Sequence, residues 1–191
     1  DLMAYLNLHE QKKLKIQWPE VKELKTSTEN HKIAIEIEEK TLCSSYCGIS
    51  LSNIKIAPSP EWLQKKLRAI GLNPINNVVD ATNFVMRELG TPIHAFDTAF
   101  LNGKISVKKA AKDQNFKTLD GIERKLSGEE LMISNGKENL CIAGVLGGVF
   151  SSVSAETTSI FLESAVFDAV SIRKTARAHS LNTDASFRFE R

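Results

Sequence analysis

The stretch from residue 105 to residue 164 is cut into short apolar runs by turn-forming pairs, and this constrains the fold more than any other feature. Residues 116–119 and 122–126 flank Asp120-Gly121, a pair that predicts a tight hairpin because both residues tolerate the left-handed backbone of such a turn. Residues 131–134 and 140–145 flank a turn that includes Asn135-Gly136, and Gly147-Gly148 follows. Residues 105–109 and 159–164 read as further strands. Upstream, Ile33, Ile35 and Ile37 alternate with charged or small residues, the period of a half-buried strand, and residues 46–54 are a second strand candidate.

Helical signals are fewer. Residues 2–8 read as the end of a helix, followed by a polar connector. Ser59-Pro60 predicts a helix start, with Ser59 as N-cap and Pro60 in the first helical position. Leu63, Leu67 and Ile70 give that helix an apolar stripe, and Gly71 can end it in a left-handed cap. A second helix is expected over 78–89 with Gly90 as its stop, and Asp168 can cap a third that runs to His179. The alternation Phe187-Arg188-Phe189 reads as the start of a final strand. The sum is a mixed α/β or α+β domain, strand-rich with about three helices.

Composition removes several classes. The chain has 191 residues, 42% hydrophobic and 25% charged, which is ordinary for a globular domain. Lys+Arg is 25 against Asp+Glu 23, a net charge of +2. That near-balance argues against a strongly basic DNA-wrapping surface and leaves room for local basic patches that touch RNA. No apolar run approaches the roughly 18 residues that span a membrane, and no signal peptide opens the chain. The three cysteines, Cys43, Cys47 and Cys141, read as reduced thiols in a cytosolic setting. Residues 1–40, where lysines and glutamates interleave over a weak apolar pattern, read as a linker and entry segment. Residues 41–191 read as the domain itself, and the whole as a fragment of something longer.

No GxSxG elbow, Walker loop, HExxH or paired CxxC is present. Cys43 and Cys47 have no second pair to complete a zinc site and read as core or strand residues. Gly144, Gly147 and Gly148 read as a turn or bulge by default. Three polar positions stand out in apolar surroundings: Asn83 after Thr82, His94 within Thr91-Pro92-Ile93-His94-Ala95-Phe96-Asp97, and Glu163 within Ile160-Phe161-Leu162-Glu163-Ser164-Ala165-Val166-Phe167. Period 2 puts Glu163 on the same face as Phe161. Facing inward, its carboxyl needs a partner or costs several kcal/mol; facing outward, it is simply solvated. Both readings stay open at this point. Arg173, Lys174 and Arg177 form one basic helical face, either solvated or in contact with phosphates.

Five strings, in order, carry a resemblance. They are Pro74-Ile75-Asn76-Asn77-Val78-Val79-Asp80-Ala81-Thr82-Asn83-Phe84-Val85-Met86 continuing to Gly90-Thr91-Pro92-Ile93-His94-Ala95-Phe96-Asp97; Ala143-Gly144-Val145-Leu146-Gly147-Gly148; Phe161-Leu162-Glu163-Ser164-Ala165; and Asn182-Thr183-Asp184-Ala185-Ser186-Phe187-Arg188-Phe189-Glu190-Arg191. From about residue 41 onward the chain resembles the central region of the bacterial phenylalanyl-tRNA synthetase β subunit. Phe150 and His179-Ser180 depart from that pattern. The resemblance implies the family's editing-domain fold and its activity, hydrolysis of tyrosine misattached to the phenylalanine tRNA. It implies substrate-binding roles for Thr82, Asn83, Gly147, Glu163, Thr183 and Ala185, and for His94 a catalytic role in orienting water or ribose. It further implies no metal or cofactor in this segment, with ATP and magnesium used by the whole enzyme at a synthetic site on the α subunit. The implied partners are the 3′ end of the phenylalanine tRNA and the α subunit in an α2β2 assembly, without DNA or membrane, in the cytoplasm. The alternative is a non-catalytic tRNA-docking or assembly module of the same synthetase.

The implied chemistry suits the residue types. Tyrosine is phenylalanine plus one hydroxyl, and an apolar pocket rejects an added hydroxyl only about 10²-fold. A second site with a buried acceptor selects it, and Glu163 is the acceptor expected. Thr82, Asn83 and Thr183 can hold the ammonium and carbonyl groups or order a water. Ala185 and Gly147 matter by being small.

Overall fold

The computed structural model describes residues 2–21 and 32–191. The chain divides into two compact units, Asp1–Asn30 and His31–Arg191. In the first, helix α1 (Leu2–His9) is followed, over residues 10–21, by a segment without regular structure. The Asn7 side chain holds that segment by accepting from the Leu14 N–H and donating to its carbonyl.

The second unit is built on two sheets. The larger has strand order β1-β4-β7-β8-β9, formed by Ala34–Ile37, Lys104–Lys109, Leu131–Ser134, Asn139–Ile142 and Leu146–Gly147. β1 runs parallel to β4, so part of the segment read as linker and entry is an edge strand of this sheet. The smaller has order β2-β10-β3, formed by Cys43–Leu51, Ile160–Phe167 and Ile93–Asp97, with both neighbours antiparallel to β10. A two-stranded ribbon joins β5 (Asn115–Lys117) to β6 (Glu123–Lys125). Helices α2 (Glu61–Ala69), α3 (Asn77–Leu89), α4 (Ala169–Ala178) and α5 (Asp184–Phe189) complete the unit. The mixed, strand-rich architecture is the one expected, with one more helix at the end of the chain.

Both sheets and α4 contribute to one buried cluster. Phe96, Phe161, Ala165 and Phe167 come from the smaller sheet, Ile105, Val107, Met132 and Ile142 from the larger, and Ile172 and Ala176 from α4. Along β10, Ile160 is buried at the start and from there the buried side chains alternate as Phe161, Glu163, Ala165 and Phe167, so Glu163 shares the face of Phe161 and that face turns inward. Just before β7, the buried Glu130 carboxylate accepts from the Ser127 N–H and hydroxyl and pairs with His179 at 2.9 Å. Burial works against its charge, but these bonds outweigh burial and leave its pKa below the ordinary range.

Four local expectations change. The 187–189 alternation is helix, not strand: Thr183 accepts from the Ser186 N–H while Ser186 Oγ accepts from the Thr183 N–H, a reciprocal capping box that starts α5. Ser59 does not cap α2. Pro60 is the cap residue, without a side-chain bond, and Ser59 donates instead to the fully buried Asp80 of α3, whose other oxygen accepts from Ile75 N–H. The buried carboxylate has the stronger need for a donor. The Asp120-Gly121 hairpin is wider than a two-residue turn, because Asp120 binds the Thr118 hydroxyl and the Ile122 N–H across a five-residue connection. Finally, Gly144 turns the chain with φ +65°, whereas Gly147 and Gly148 lie outside the left-handed region and are needed for space.

Candidate functional site

The site lies where β10 meets β3. Glu163 pairs in register with His94 of β3 on one side and with Gly48 of β2 on the other. Directly opposed residues of an antiparallel pair share a face, so Glu163, His94 and Gly48 point the same way. A Cβ on Gly48 would stand 2.1 Å from Cζ of Phe161, so the bare backbone there accommodates the ring that flanks Glu163. The ring of His94 meets that of Phe96 edge-on at 4.5 Å.

The β8–β9 hairpin supplies the opposite wall. Gly147 pairs with Cys141, and the Gly147 carbonyl accepts from the Leu119 N–H of the β5–β6 connection. A Cβ on Gly147 would lie 3.0 Å from His94 Cε1 and 2.9 Å from Leu119 Cδ1. Only glycine lets this backbone approach the imidazole so closely. The third wall is α5. Thr183 starts it, and its hydroxyl donates to the Val145 carbonyl at 2.8 Å, which ties the helix to the hairpin.

These walls enclose a cavity of about 70 Å³, open on one side, bordered by His94, Gly147, Glu163 and Ala185 together with Cys141 and Phe189. A protein cavity of about 150 Å³ takes up a benzene ring. The enclosed space therefore suits the leading end of a ring against Glu163, with the rest of an amino acid toward the opening.

Thr183 does not border this cavity; its hydroxyl donates to the Val145 carbonyl, which does, and accepts from the Ser186 N–H. Thr82 and Asn83 sit on α3, which packs on β3, and neither borders the cavity; the Thr82 hydroxyl donates to the Val79 carbonyl of its own helix. α3 and α5 are joined by Arg87, which donates to both oxygens of Asp184 at 2.6 and 2.7 Å. Arg173, Lys174 and Arg177 lie on the exposed face of α4.

Sequence reasoning missed Tyr46, on β2. It is buried, and its hydroxyl donates to Glu163 Oε2 at 2.5 Å. The available signal was a tyrosine within a strand candidate, since a phenol that becomes buried there needs an acceptor.

Burial dominates the electrostatics. It pushes the Glu163 carboxyl up to about 7, against the pull of the Tyr46 hydrogen bond. It pushes His94 down to about 4, so the imidazole is neutral at physiological pH. The Tyr46 phenol is held well above its ordinary value, by burial first and by the Glu163 charge second. The same two causes push the Cys43 thiol up to about 11 and raise Cys141 well above its usual range. Both thiols stay protonated and are poor nucleophiles. The described residues contain no group of three or more His, Cys, Asp or Glu side chains able to hold a metal. What the cavity offers is a buried acceptor and a neutral imidazole facing it, a set that can recognise a hydroxyl and place a water.

The family description "B3/4 domain" matches residues 42–191. The chain belongs to the B3/4 domain family. Among curated relatives, the phenylalanine–tRNA ligase beta subunit of Porphyromonas gingivalis is 50% identical over 92% of this chain and 22% of its own length. The protein of the same name from Bacteroides thetaiotaomicron is 48% identical over the whole of this chain and 23% of its own length. This B3/4 domain thus spans about a fifth of the length of those relatives. A crystal structure of an N-terminal fragment of the phenylalanyl-tRNA synthetase beta subunit from Pyrococcus horikoshii shares the fold, with a TM-score of 0.53 at 13% identity, over 81% of this chain and 50% of that one. No helix among the described residues is long and apolar enough to cross a membrane.

Proposed function

We propose that this B3/4 domain is the editing module of a phenylalanine–tRNA ligase and hydrolyses the ester of tyrosine misattached to the phenylalanine tRNA. The observation that carries this reading is Glu163: a buried carboxyl bordering a small cavity, in register with a neutral histidine. An acceptor in that position rewards a hydroxyl at the tip of an aromatic ring. Beside it, Gly147 and Ala185 keep the walls short.

Hydrolysis needs a water attacking the ester carbonyl carbon, cleavage of the bond to the ribose oxygen, and return of a proton to that oxygen. No serine or thiolate nucleophile stands ready among the groups bordering the cavity. His94, uncharged, orients the water or the terminal ribose. Thr82 and Asn83 on α3 and Thr183 at the start of α5 would meet the ammonium and carbonyl groups of the bound ester beyond the cavity mouth. The partners of this reading are the 3′ end of the tRNA and the α subunit of an α2β2 synthetase in the cytoplasm, with ATP and magnesium acting at a synthetic site outside this chain.

The test is single-turnover release of tyrosine from mischarged phenylalanine tRNA by the intact protein. Wild type releases it, and His94→Ala slows release by roughly 10- to 10³-fold with tRNA affinity nearly unchanged. Binding of the tRNA without release would favour the docking-module reading instead.

A further inference from the structure

We propose that Tyr46 is a positioning residue that sets the amino-acid selectivity of the His94–Glu163 cavity, by giving its hydroxyl to one oxygen of Glu163 and leaving the other for the phenol of a bound tyrosine. This rests on the editing reading above. Tyr46 lies opposite Ala165 on the face it shares with Glu163, and its hydroxyl reaches Oε2. Oε1 accepts no hydrogen bond from the described residues, yet it is not a sealed orphan: the one buried side-chain polar atom without a partner among them is Arg124 Nε. Because Glu163 borders the cavity, its second oxygen is the acceptor a ligand meets. A carboxylate has about four lone-pair sites, so two phenols can share it, one from β2 and one from the substrate.

Two consequences follow from that geometry. In the empty cavity the carboxyl is already half satisfied, so a phenylalanine ring leaves one oxygen unpaired rather than two. Tyr46 also favours the ionised form, which is the better acceptor for a second phenol. The ionisable groups facing Glu163 are Tyr46 and Cys43 from β2, His94 from β3 and Cys141 from β8. At neutral pH the phenol and both thiols are protonated and the imidazole is uncharged, so none of them offers Glu163 a cation. Tyr46 is the group that stabilises the Glu163 charge.

The experiment compares deacylation of tyrosyl- and phenylalanyl-tRNA by the intact protein and its Tyr46→Phe variant, across roughly pH 5 to 9. Taking the tyrosine-to-phenylalanine ratio cancels effects of pH common to both esters. In wild type the ratio should rise with a midpoint near 7, where Glu163 ionises. In Tyr46→Phe it should fall about 10-fold at neutral pH and its midpoint should move to higher pH. A purely structural tyrosine would slow both esters alike and leave the midpoint in place. A selective wild type with an unchanged ratio and midpoint in the variant overturns the role of Tyr46 and leaves the editing reading standing. A wild type without preference for tyrosine overturns both. Should Tyr46→Phe fail to fold, the link can be read from the other side. The tyrosine difference absorbance of wild type should titrate near pH 7, and Glu163→Gln should abolish that change; its absence in wild type, or its persistence in the variant, overturns the proposal.

Discussion

Glu163 is both the most informative residue of the chain and a source of instability. Its carboxyl ionises near 4.5 in an unfolded chain and near 7 in the fold, so the folded state binds the proton more tightly. Folding is therefore favoured below about 4.5 and loses support as pH rises toward 7, by about 3 kcal/mol from the linkage relation. Glu163→Gln keeps the shape and removes the titration. Urea unfolding at pH 4 and pH 7.5 should show the variant gaining on wild type by about that amount between the two conditions, and a gap that does not move with pH would mean the carboxyl is not desolvated as described. Period 2 placed Glu163 on the face of Phe161 but left open whether that face turned inward or to solvent, because a strand's alternation does not say which of its faces meets the core. Its partner was not legible, because Tyr46 stands 117 positions away and nothing in a single tyrosine names its acceptor.

Among the elements, Gly48 on edge strand β2 of the small sheet and the end of α4 carry distinct constraints. Gly48→Ala places a methyl group within 2.1 Å of the Phe161 ring and 2.6 Å of the Leu162 carbonyl. The strand or the ring must shift, and a loss of about 1–3 kcal/mol is expected in thermal or denaturant unfolding. Ser180 ends α4 with φ +54°, donating its N–H to Arg177 while Leu181 N–H reaches Ala176. This is the paired arrangement in which glycine is normally found. Ser180→Gly should therefore stabilise by about 0.5–1 kcal/mol, since the left-handed backbone costs a residue with a Cβ more than it costs glycine; a lower melting temperature would contradict that. Strands and long helices were legible because their periods repeat. The six-residue α5 was not, because Phe187 and Phe189 fit a strand's alternation equally well over so short a stretch. The Thr183–Ser186 pair was the signal that resolves it, and it was read only as part of a longer string. Ser59 was misassigned for a related reason: its N-cap chemistry is local, while Asp80 competes for the same hydroxyl from another helix.

At the scale of the molecule, three separated stretches converge on one cavity: β3 with His94, the β8–β9 hairpin with Gly147, and β10 with Glu163, closed by Ala185 on α5. Of the residues the motif strings singled out, His94, Gly147, Glu163 and Ala185 meet here, whereas Thr82 and Asn83 on α3 and Thr183 at the start of α5 lie outside the cavity lining, where only a ligand larger than the enclosed space would meet them. Hydrophobic pattern predicts elements. It does not predict which loops close over one another, and the contact of Leu119 with Gly147 that shapes the wall joins segments with no shared sequence signal. The central claim is that Glu163 selects the hydroxyl of a misattached tyrosine, and its most direct test is the ratio of tyrosyl- to phenylalanyl-tRNA deacylation by wild type and Glu163→Ala. The expected result is a collapse of the ratio toward unity, by about 10- to 100-fold, because a charge-assisted bond worth about 1.5–3 kcal/mol exists for tyrosine alone. An equal loss for both esters, with the ratio preserved, would contradict it and assign Glu163 to a group the two amino acids share.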